Sequence, residues 1–143
     1  MSYTDDIDRV ISWYRGKFSA KDATRQNLEY LNAARRKLAC SLYDLRNDVA
    51  DAKAEREKAD YNRKKNYADQ LLANRAEGLT IVEAESRARL NNSEHEDALC
   101  DAIRVYESLW LLYQSVGEIL NAMSSDIRTL ENEYRRAGQT EPV

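Results

Sequence analysis

Apolar residues recur at three- and four-residue intervals along most of the chain, the spacing of amphipathic helices. Ile7, Val10, Ile11, Tyr14 and Phe18 line one face of a first helix over about 5–17. Ser19, with Asp22 three positions on, suits the start of a second helix. Nothing breaks that helix until Gly78, a good left-handed terminator. The pattern therefore predicts a helix over about 20–77, roughly 85 Å long at a rise of about 1.5 Å per residue. Thr80 with Glu83, and Ser93 with Glu96, read as capping boxes. They open a third helix over 81–91 and a fourth over 94–136, stopped at Gly138 and followed by a tail over 137–143.

The two long helices carry matching stripes. On the first, Leu28, Leu31, Arg35, Leu38, Leu42, Leu45, Val49, Ala52, Arg56 and Ala59 recur in phase. On the second, Leu99, Ala102, Tyr106, Leu109, Tyr113, Val116, Leu120, Met123, Ile127 and Leu130 do the same. Read in opposite directions, the stripes register about residue 79, beside the Gly78 break, which pairs Leu38 with Leu120 and Leu45 with Tyr113. The expected fold is all-α: a long antiparallel helical hairpin, with the short N-terminal helix making a three-helix bundle near 22–34 and 124–136. One helical domain over 1–143 fits this length. Beyond Ala59 the seam turns polar, with Arg63 opposite His95 and Asn66 opposite Asn92. That leaves the tip to a cluster of Tyr67, Leu71, Leu72, Ile81, Val82 and Leu90. Arg35 and Arg56 interrupt the apolar stripe, either to set register or to snorkel outward.

Composition narrows the class further. Four glycines and one proline, Pro142, leave too few turn residues for a sheet protein. No apolar run approaches the roughly 18–20 residues of a membrane span, so no membrane partner is expected. Asp5, Asp6, Asp8 and Arg9 stand where a secretory signal would be apolar, so the expected location is cytoplasmic, with Cys40 and Cys100 as reduced thiols. In the hairpin register the two cysteines lie far apart along the axis, which excludes a bridge between them. No phosphate loop or dinucleotide turn is present. The single histidine, His95, rules out histidine-rich metal sets and is expected to be an exposed first-turn residue. The chain reads as a non-enzyme with no cofactor and no metal.

Charge is unevenly spread. Residues 92–136 hold 4 basic and 9 acidic groups, so the negative charge gathers on the returning helix. The densest basic stretch holds Lys53, Arg56, Lys58, Arg63, Lys64 and Lys65 against three acids, with Tyr61 and Tyr67 interleaved. Cations beside aromatic rings are what a single strand of nucleic acid requires, although a solvated helix face has the same look. The returning helix is also greasier than one partner can cover. Ile103, Val105, Trp110, Leu112 and Ile119 flank its seam, which points to self-association.

A helical hairpin of this size, with a basic first arm and the aromatic run Val105-Tyr106-Glu107-Ser108-Leu109-Trp110 on the return, resembles the UvsY-type recombination mediators of tailed phages. The resemblance covers about residues 24–137, as a pattern of lengths and aromatics. It implies a ring-forming homo-oligomer in a phage-infected bacterium that binds single-stranded DNA and helps a recombinase displace single-strand-binding protein. It places the DNA contacts on Lys53, Arg56, Lys58, Arg63, Lys64 and Lys65. The competing expectation is a protein-interaction module, such as a small phage-encoded inhibitor or helical adaptor, that binds no nucleic acid.

Overall fold

A computed structural model describes residues 2–16 and 25–140. Among them are four helices and no strand: α1 (Tyr3–Gly16), α2 (Arg25–Ala76), α3 (Ile81–Asn91) and α4 (Ser93–Thr140). The protein is all-α, and its long helices form the expected hairpin. Phe18, the Ser19 cap and the end of the tail at 141–143 lie outside the described residues. The helix ends at Gly138 in the sequence reading, but α4 continues through it to Thr140. Gly138 is uncrowded there and holds no positive φ, so the helix runs on through it.

The chain groups into two compact units, Met1–Asn47 with Leu111–Val143, and Asp48–Trp110. In the first, α2 contributes Leu31, Leu38 and Leu45, all fully buried and seven residues apart. Heptad spacing keeps one side chain per two turns on the same face, which suits packing against a neighbouring helix. Val116, Ile119, Met123, Ile127 and Leu130 of α4 and Ile7 and Val10 of α1 complete this core. Polar contacts tie α1 to both long helices. Asp6 pairs with Lys37 of α2 at 3.4 Å, and the Tyr14 hydroxyl donates to the Asp126 carboxylate of α4. The short helix thus bridges both long ones, and Ile119 rather than Leu120 is buried. A third helix rotates the buried arc of α4 away from the two-helix seam.

The second unit is built from smaller pieces. Its buried residues are Ala52, Ala84, Ala88, Asn74 and Asn92. The α2–α3 turn is a Schellman motif. Leu79 N–H reaches the Asn74 carbonyl at 3.3 Å, and Gly78 N–H reaches that of Arg75 at 3.0 Å. Gly78 sits at φ +90°, where a side chain would be strained. The Thr80 hydroxyl then accepts from Glu83 N–H at 3.3 Å, as the capping sequence predicts. Asn74 Nδ2 donates to the Ala84 carbonyl at 3.1 Å, holding α3 to α2.

Two expectations fail at this tip. Leu72, Ile81, Val82 and Leu90 do not form a cluster but are exposed, at 60–76%. The physical reason is that α3 turns Ala84 and Ala88, one helical turn apart, toward α2, and small residues let the backbones approach closely. The second capping box also moves. Ser93 is already helical, and Asn92 occupies the junction, its carbonyl accepting from Glu96 N–H at 3.0 Å.

Candidate nucleic-acid and assembly surfaces

Along α2 the basic run splits into two sets. Ala52, Arg56, Ala59, Arg63 and Asn66 repeat at three- and four-residue steps and face α4. Lys53, Lys58, Tyr61, Lys64 and Lys65 fall on the remaining arc and are exposed, Tyr61 at 63%. Arg56 therefore sits in the seam, as its place in the stripe predicts, and not among the outward cations with which the basic run groups it. It is half-buried, its guanidinium 4.4 Å from the centre of the Tyr106 ring. That cation–π contact resolves how a charge sits in the apolar stripe of the second unit. Arg35, its counterpart in the first unit, is exposed and lies beside Ser124, Ile127, Arg128 and Glu131.

Arg63 is also turned inward, toward the α3–α4 junction. Its Nη2 donates to Asp60 at 2.9 Å, and Lys64 Nζ pairs with the same carboxylate at 3.0 Å. The hydrogen bonds from Arg63 and Lys64 hold the Asp60 carboxyl below its usual pKa range. One acid thus offsets part of the positive charge counted from the sequence.

The junction itself is an ordered polar network. Asn66 Nδ2 donates to Asn92 Oδ1 at 2.8 Å, and Asn92 Nδ2 donates to the Arg63 carbonyl at 3.2 Å. The Asn66–Asn92 bond falls on the register that the stripes give. Arg63, Lys64, Tyr67, Arg89, Asn92 and Glu96 line a cavity beside this network. Arg89 comes from α3 and is absent from the basic run. No periodicity marks it, because its place depends on how α3 folds back from the Gly78 turn. His95 is half-buried rather than exposed, in a groove with Asn62, Ala59 and Ala98. The fold sets it beside Asn62, one position from the Arg63 level that the stripe register gives.

The apolar flank of α4 divides as well. In the second unit, Val105 is 54% and Trp110 41% exposed, and Ile103 is half-buried. In the first unit, Leu112 is half-buried, and Ile119 belongs to the core just described, so Ile119 is withdrawn from any surface. Leu111, which the sequence reading passes over, is 62% exposed.

Among the described residues no cluster of metal-ligating side chains occurs, and no helix is long and apolar enough to cross a membrane. Cys40 and Cys100 are free, exposed thiols. No family model, curated protein or solved structure matches the chain.

Proposed function

We propose that this chain is a non-enzymatic, homo-oligomeric helical protein that binds single-stranded DNA without sequence preference. In this reading it acts in the cytoplasm as a recombination mediator of the phage type, alongside a recombinase or single-strand-binding protein. One observation carries the reading: Lys53, Lys58, Lys64 and Lys65 surround the exposed ring of Tyr61 on a single helix face. Phosphates need cations, and bases need a flat apolar surface to stack on. The net charge of −3 makes one copy a weak binder. Linked copies along a strand gain avidity through effective concentration, so assembly belongs to the mechanism.

Fluorescence anisotropy with a labelled oligonucleotide over a salt series tests this. Affinity should fall steeply with salt as counterions are released. Replacing Lys58, Lys64 and Lys65 together by alanine should abolish binding and leave helicity and oligomer size unchanged. Absence of binding at low salt would remove the DNA role. A protein-interaction module would then be the better reading, and the exposed Leu72, Ile81, Val82 and Leu90 of the second unit favour it.

A further inference from the structure

The cavity at the α3–α4 junction has the chemistry of an anion site. Arg63, Lys64 and Arg89 converge on it from two helices. Arg63 and Lys64 share the single carboxylate of Asp60. Arg89 is exposed and forms no salt bridge among the described residues. Glu96, on the cavity wall, is the opposing charge. Three cations against two carboxylates leave the site positive.

A second, independent feature points the same way. Arg63 Nε is buried and meets no acceptor among the described residues. A buried N–H without an acceptor carries its full desolvation cost, and an oxygen reaching it on a small movement of the side chain would relieve that cost. The residue is also held in place. Asn92 grips its carbonyl, Asn66 fixes Asn92, and Asp60 holds the far end of the guanidinium. A pre-oriented guanidinium suits a phosphate, whose several oxygens accept from planar donors.

We infer that this cavity binds a phosphate group through Arg63 and Arg89, with Lys64 at its mouth. The group is either a phosphodiester of a bound strand or free phosphate. The strand source rests on the function proposed above, and it extends that surface from α2 to α3. Glu96 sets the affinity by opposing the anion.

Titration with inorganic phosphate at constant ionic strength, followed by NMR at the arginine Nε–H groups, tests the site directly. Arg63 and Arg89 should shift saturably. Arg89→Ala should remove the saturation, and Glu96→Gln should tighten it several-fold. Arg89 is exposed, and circular dichroism checks that its variant keeps the helices. Oligonucleotide anisotropy forms the second arm, where Arg89→Ala should weaken binding roughly tenfold, the order expected for one charge-assisted contact. Phosphate binding without oligonucleotide binding would support the site with free phosphate as its ligand, and it would end the strand-binding reading. No saturable shift with phosphate would overturn the site, and oligonucleotide binding indifferent to Arg89→Ala would overturn the strand as its source of phosphate.

Discussion

Tyr14 is the side chain of the first unit whose loss should show in the pH dependence of stability. Burial, and then its bond to Asp126, push its hydroxyl up to about 12. A phenol that holds its proton more tightly in the folded state stabilises the fold fully below pH about 10. That contribution is lost as pH rises toward 12. Tyr14→Phe should lower stability by about 1–3 kcal/mol at neutral pH, the range for a bond to a charged acceptor. It should also flatten the decline between pH 10 and 12, as urea denaturation across that range would reveal. Equal slopes for the two proteins would contradict the assignment. In the second unit, Arg56 and Tyr106 should be coupled by about 0.5–2 kcal/mol. A double-mutant cycle with Arg56→Met and Tyr106→Leu measures this, and a coupling near zero would mean that the contact only fills space.

For the helices, the two glycines at 78 and 117 should behave oppositely. Gly78 holds a positive φ in the Schellman turn, so Gly78→Ala should cost about 1 kcal/mol. Gly117 lies inside α4 with open space where a Cβ would stand, so Gly117→Ala should stabilise by about 0.5–1 kcal/mol. Thermal unfolding of both variants checks the pair. These elements also show what can be read from sequence. The turn at Gly78 and the pairing of the Asn66 and Asn92 levels were legible, because a glycine stop and a heptad register are local, periodic signals. The choice of Ile119 over Leu120 was not, since it depends on where α1 docks. The tip was misread for a related cause. Hydrophobicity favoured Leu72, Ile81, Val82 and Leu90, whereas close packing favoured Ala84 and Ala88. For the surface, the run from Lys53 to Lys65 marked where cations gather along α2. It could not separate outward Lys58 and Lys65 from inward Arg56 and Arg63 without the seam phase.

At the scale of the whole molecule, assembly is the property to test. Val105 and Trp110 leave apolar surface in water beside an otherwise acidic helix. If copies meet there, Trp110→Glu would bury a charge without a partner, at a cost of several kcal/mol. Light scattering should show an oligomer for the wild type and a smaller species for the variant. A monomeric wild type, or an oligomer unaffected by the change, would refute the interface.

The contrast between the two cores also bears on how the chain folds. Contacts near the turn are short in sequence, 10 residues between Asn74 and Ala84 and 26 between Asn66 and Asn92. The large aliphatic core lies at the other extreme, where Tyr14 and Asp126 are 112 residues apart. Closing a long loop costs entropy before any distant contact forms, and contact order governs folding rate more than stability. The tip, whose contacts are local, is therefore the cheapest place to nucleate, and its closure shortens the loop that the distant core partners must close. Cutting the chain at the Gly78 turn and joining the original ends should move nucleation from the tip to the aliphatic core, because it lengthens the tip contacts and brings Tyr14 and Asp126 close in sequence.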